Sequence, residues 1–289
     1  MWFPLALTSA VTTSLYSLLT KRLTKSLPLT TFLFVSNLSA LVFMFLIILS
    51  MGGIPEVTPR FYGYVFTFSI MDLIAFIAFS YALKHYEMSM LTPLRAFIPA
   101  IATSVAFFAL GEIPTPLKLL GILIIMCGAY ALNISDASTH FLTPLKKLFN
   151  NRGMQIYSIM VVLFGITPIF QKKAIFETEP VTPLYVSFFG LLLVTIYFGV
   201  YVIRSIKKDV LQIKKNSSWL LVYGLIYAVG QLVSYLAFSK ANIGYVTAVF
   251  NSSILFSILF GGVLLKEQRM KERLLGASIM ILGVVLLAI

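Results

Sequence analysis

Only 11% of the 289 residues are charged, against about 25% in soluble chains, and 59% are hydrophobic. At a mean hydropathy of +0.96, so few charges cannot cover a water-facing surface, which excludes a soluble globular fold and a disordered chain. The single cysteine, Cys127, rules out an intrachain disulfide. Histidines number two, His85 and His140, both read in loops, so a His-cluster metal site is missing. No Gly-rich loop ending in Lys-Ser/Thr is present to cradle nucleotide phosphates. Intramembrane carboxylates are just as scarce, because Asp72 alone falls inside an apolar run, and an aspartyl intramembrane enzyme needs two. No enzyme, cofactor or metal is expected.

What is present is apolar length. A spanning helix needs roughly 20 mainly apolar residues, and runs bounded by charges, Gly and Pro place ten of them at 3-20, 29-50, 61-83, 90-110, 117-134, 154-171, 181-203, 218-239, 244-265 and 273-289. The longest loop is 135-153, so no extramembrane domain fits. The first charges, Lys21, Arg22 and Lys25, follow the first apolar run instead of preceding it, which predicts a retained helix and not a signal peptide.

The net charge of +12 is a topology signal and not a nucleic-acid patch. Assigning loops to alternate sides puts sixteen basic residues on one side, from Lys21 through Arg152 to Arg273, and five on the other: Arg60, Lys118, Lys172, Lys173 and Lys240. Arg95, inside span four, completes the 22. The positive-inside rule then puts both termini outside, in a multi-pass cell (inner) membrane protein.

Residues 82-134 align without a gap to 237-289 at an offset of 155, with Glu112/Glu267, Gly121/Gly276 and Gly128/Gly283 identical. Lys21-Arg22 before Pro28-Leu-Thr30 echoes Lys172-Lys173 before Pro180-Val-Thr182. Each half holds five spans, and the odd number inverts the second half relative to the first. One pattern in two conformations suits alternating access.

Gly111-Glu112, Leu119-Leu120-Gly121 and Gly128, with Lys266-Glu267, Leu274-Leu275-Gly276 and Gly283, resemble the EamA family of the drug/metabolite transporter superfamily. The likeness covers essentially the whole chain. It implies an all-α integral membrane protein of ten transmembrane helices in two inverted five-helix repeats, 1-140 and 153-289. It also implies an exporter of small metabolites driven by proton or substrate exchange, with a cavity lined chiefly by helices one, three, four, six, eight and nine. Family members commonly carry an Arg about two turns into helix two, where this chain has Val35, Ser36 and Asn37.

Ionisable groups at membrane depth persist where they face water or a partner. Asp72 sits mid-span with Ser69, Phe76 and Phe79 on its face, and is read as a substrate-binding and proton-coupling carboxylate. Arg95, between Pro93 and Pro99, is either a carboxylate binder or a headgroup anchor, being about 7–8 Å from its helix end. Tyr223, Tyr227, Gln231, Ser234 and Phe238 recur at helical spacing on span eight, forming either a cavity wall or helix-helix glue. Tyr16 with Ser9, Thr12, Thr13 and Thr20 makes a hydroxyl face on span one, and Thr167, Pro168 and Gln171 mark a kink on span six. Asn251 is the pseudo-symmetric neighbour of Arg95, and Asn37 reads as packing glue. Glu112 and Glu267, in inverted turns on opposite faces, cannot form a dyad and are expected to cap the next helix or bond turn amides. Lys21 and Lys172 read as interfacial anchors.

The expectation is a secondary transporter exporting an amino acid-like or amphipathic solute, proton-coupled or exchange-driven. Its partners are that small-molecule substrate, protons and the lipid bilayer, with a homodimer compatible and nucleic acid excluded. An exchanger of phosphorylated solutes, a lipid-linked sugar flippase, or a non-transporting scaffold or receptor are the alternatives.

Overall fold

The computed structural model describes residues 2–85, 92–135, 151–257, 260 and 270–289. The 136–150 part of the long loop, with His140, and Glu267 in the second-half turn lie outside the described residues. Eleven helices account for nearly all of the rest: α1 (Trp2–Leu23), α2 (Leu29–Ser50), α3 (Pro59–His85), α4 (Ile98–Leu110), α5 (Pro116–Ser135), α6 (Arg152–Ile175), α7 (Pro183–Val202), α8 (Ile206–Lys215), α9 (Ser217–Lys240), α10 (Ile243–Asn251) and α11 (Met270–Ala288). A 3₁₀ segment, Thr92–Phe97, leads into α4. Six of these segments are long and apolar enough to cross a membrane, and Pro116–Leu132, Ile243–Ser257 and Gly276–Ala288 are shorter apolar helices.

Proline sets several of the starts. It opens α3, α5 and α7, where its missing N–H costs nothing because the first turn has no intrahelical acceptor for it. Asn151 caps α6 by accepting from the Met154 backbone N–H at 3.1 Å. Gly111 closes α4 at φ +66°, a left-handed conformation that a Cβ would strain.

Three details differ from the sequence reading. Glu56–Val57 (β1) and Thr178–Glu179 (β2) pair as a two-stranded antiparallel ribbon, so the fold is not purely helical. His85 is the last residue of α3 and not a loop residue. Between α7 and α9, where the hydropathy pass gave only a loop, lies α8, whose charged residues hid it.

The largest interhelical contacts map onto one another when the halves are exchanged. α3 packs on α6 as α1 does on α9, α2 packs on α9 as α3 does on α7, and α4 packs on α6 as α1 does on α10. Three pairs map onto themselves: α5 with α11, α2 with α7, and α4 with α10. In the first of these, a Cβ on Gly128 would lie 2.8 Å from the Gly276 carbonyl oxygen, and one on Gly283 would lie 2.7 Å from that of Gly121. Residues 121 and 128 therefore face 283 and 276, so these equivalent helices run antiparallel. Small residues two turns apart let the backbones touch, which is how helices associate where lipid supplies no hydrophobic drive.

Candidate functional site

Asp72 lies in the middle of α3 and keeps part of its surface accessible. Its neighbours come from the other half of the chain. The carboxyl lies near the Thr167 hydroxyl on α6, with Tyr227 and Tyr235 of α9 in its surroundings. Asp72 therefore faces the interior of the bundle and not the lipid. Thr167 is buried and its hydroxyl also donates to the Leu163 carbonyl at 2.7 Å. A threonine has one hydroxyl proton, so it cannot donate to a carboxylate and to Leu163 together. With Asp72 ionised, Thr167 can turn its proton from Leu163 to the carboxylate. With Asp72 protonated, Asp72 donates and Thr167 is left to the α6 backbone, one residue before Pro168.

The rest of the Asp72 face packs on α6. Phe76 meets Phe164 edge-on at 6.0 Å, and Phe79 lies 6.2 Å from Tyr157. Ser69, one turn before Asp72, is buried, and its Oγ has no hydrogen-bond partner among the described residues.

Tyrosines form the adjoining wall. Tyr16 of α1 lies 5.3 Å from Tyr227 and 5.9 Å from Tyr223, and these two stack on each other at 6.0 Å. Gln231, the amide read as too deep for water, lies one turn from Tyr227 and near its hydroxyl. Tyr16, Tyr227 and Gln231 remain partly accessible, whereas Tyr223 is buried against Leu23, Leu27 and Phe32. Arg95 sits in the 3₁₀ segment with its side chain exposed while Pro93, Leu94 and Ala96 are buried. Tyr16 and Tyr227 are in direct ring contact, between the exposed Arg95 and the interior Asp72.

Other residues of the sequence reading lie apart from this group. Ser234 is used in packing: its hydroxyl contacts Ser9 of α1 and donates to the Gly230 carbonyl at 2.7 Å. Asn251 ends α10, where Ser252 interrupts the helix, and its Nδ2 is buried with no hydrogen-bond partner among the described residues. Asn37 is buried in α2. Gly121 and Gly276 belong to the α5–α11 contact. Among the described residues no cluster of three or more His, Cys, Asp or Glu side chains could hold a metal ion.

Glu112 and Lys172 have functions that sequence spacing did not reveal. Glu112 does not cap the next helix, α5. It reaches across the bundle, where one carboxylate oxygen accepts from the Ile243 N–H that opens α10 and the other from Lys172 Nζ, both at 2.7 Å. Lys172 is not an interfacial anchor. It is about as buried as Glu112, at 13% and 11% exposed, and it also donates to the Ala241 carbonyl at 2.6 Å. Around this clamp gather further ties between the halves: β1 with β2, the Thr115 N–H to the Tyr245 hydroxyl at 3.0 Å, Trp2 against Tyr245, and Lys118 Nζ to the Leu287 carbonyl at 2.8 Å. All lie at the end of the bundle that carries both chain termini, where they tie the halves together.

Comparison with known proteins agrees with this geometry. No curated protein matches the chain. A solved crystal structure, described only as that of a protein, shares the fold at a TM-score of 0.75 and 12% identity, over 99% of this chain and 95% of that one. The profile of the EamA-like transporter family matches twice, at residues 1–134 and 151–289. This multi-pass membrane protein belongs to the EamA-like transporter family, within the drug/metabolite transporter superfamily.

Proposed function

We propose that the protein is a secondary transporter that exports a small amino acid-like or amphipathic solute across the cell membrane by alternating access. Its two halves, 1-140 and 153-289, act as inverted five-helix units with ten spans between them, and both termini lie outside. The observation that carries this reading is the placement of Asp72. It is a partly accessible interior carboxylate on a first-half helix, and it lies near Thr167, Tyr227 and Tyr235 of the second half. A group shared between two moving units takes up its ligand in one arrangement and releases it in the other. Asp72 accepts a proton or a substrate ammonium, and the contested Thr167 proton couples that event to α6 beside its internal Pro168. Tyr16, Tyr227 and Gln231 offer aromatic faces and hydrogen bonds to the body of the solute, and Arg95 meets a carboxylate near the entrance. With the halves tied together at the termini end by the Glu112–Lys172 clamp, loading is from the opposite end.

The test is solute-dependent proton movement in proteoliposomes. Asp72→Asn is expected to lower flux at least roughly tenfold with an unchanged melting temperature, because an amide keeps the shape and loses the charge and proton. Flux equal to wild type would remove Asp72 from the mechanism.

A further inference from the structure

The α8 helix has a face that transport does not explain. Its apolar side is turned inward, where Ile213 packs against the cluster of Leu23, Leu27, Phe32, Leu220 and Tyr223. Its one acidic residue, Asp209, also points to the protein and accepts from the Thr31 hydroxyl at 2.6 Å. At 100° per residue, Lys207, Lys208, Lys214 and Lys215 then fall on the outer side around Leu211, and all five are exposed, Leu211 at 80%. A solvated surface helix ordinarily mixes both charge signs, and this outer face has none of the negative sign.

The flanks of α8 fix its level. Tyr201 and Ile203 just before it are 71% and 69% exposed, and Leu221 just after it is 55% exposed, so the chain leaves and re-enters an apolar belt around this helix. Trp219, four residues beyond α8, carries Arg22 over its ring at 4.0 Å. An exposed indole of this kind, paired with a cation, is characteristic of headgroup depth. At about 1.5 Å per residue, Lys215 is only about 6 Å along the axis from that level.

We propose that α8 is an in-plane interfacial helix whose four outward lysines bind the phosphodiester headgroups of anionic phospholipids, with Leu211 inserted among the acyl chains. The occupant is a lipid and not an acidic protein segment, because the lysines surround an exposed leucine at headgroup level and each basic residue there raises affinity for an anionic surface roughly fivefold.

The full-length protein is reconstituted in phosphatidylcholine with and without phosphatidylglycerol, and the lipid retained through mild delipidation is measured by mass spectrometry. Wild type is expected to retain phosphatidylglycerol preferentially. The combined Lys207→Gln, Lys208→Gln, Lys214→Gln and Lys215→Gln variant is expected to lose that preference by at least roughly tenfold, while its melting temperature in pure phosphatidylcholine stays at the wild-type value. Lys240→Gln, at the other end of the bundle, is expected to change nothing. An unchanged preference in the combined variant, an equal loss in Lys240→Gln, or displacement of the lipid by inorganic phosphate alone would each overturn the assignment. None of these readouts involves transport, so they stand apart from the transporter reading.

Discussion

Two seams join the halves of this protein, and they are filled in opposite ways. Between α5 and α11 the filling is backbone: Gly121, Gly128, Gly276 and Gly283 bring the helices so close that a Cβ on Gly128 would fall 2.7 Å from the Met280 nitrogen. Between α3, α6 and α9 the filling is side chains with polar tips, Asp72, Thr167, Tyr227 and Gln231, several of them still accessible. A seam of backbone contacts has one tight arrangement. A seam of long polar side chains can repack in several ways. In the proposed transport cycle the first serves as a fixed axis, and the second is where the halves move and the solute is held.

Substitutions can break this contrast. Gly128→Leu should have the largest effect, since the new side chain meets backbone on α11 that cannot rotate away. The expected cost is more than about 3 kcal/mol, read as loss of a monodisperse peak in size-exclusion chromatography. A well-folded Gly128→Leu protein would mean that α5 and α11 do not form the rigid seam. Glu112→Gln should come next. It leaves the largely buried Lys172 without its carboxylate at a cost of about 2 kcal/mol, a drop of a few degrees in melting temperature that Lys172→Met in the same chain largely restores. Additive losses from the two changes would show that the clamp is not a coupled pair. Thr167→Val should be the mildest. It preserves the shape of the residue, shifts stability by about 1 kcal/mol or less, and still lowers solute flux several-fold, because the hydroxyl beside Asp72 is gone. Wild-type flux in Thr167→Val would confine that hydroxyl to backbone bonding.

The span boundaries were readable because lipid demands long apolar runs. The second span, 29-50, coincides with α2 at both ends, and most others fall within a few residues. The glycines were visible as a repeat, but a repeat says which positions are equivalent and not that the equivalent helices touch. That needed the crossing itself. Asp72 stood out because a carboxylate at membrane depth is costly, whereas its partners Thr167 and Tyr235 are ordinary residue types in apolar helices. Lys172 was misread because a lysine at a helix end normally snorkels, and only the fold brings Glu112, 60 residues away in sequence, to meet it. The α8 helix escaped for a different reason. Half of its ten residues are charged, so a search for apolar length passes over it, while a search at helical period would have grouped Ile206, Val210 and Ile213 on one side.

The Glu112 clamp also bears on how the protein is made. Both partners of this carboxylate emerge from the ribosome after it, Lys172 by 60 residues and Ile243 by 131. A nascent chain that has delivered α1 through α5 therefore carries an acidic side chain whose cation has yet to be translated. The clamp can form only when α6 and then the start of α10 have been threaded in. Delivery of the second half, and not insertion of the first, is the event that completes it.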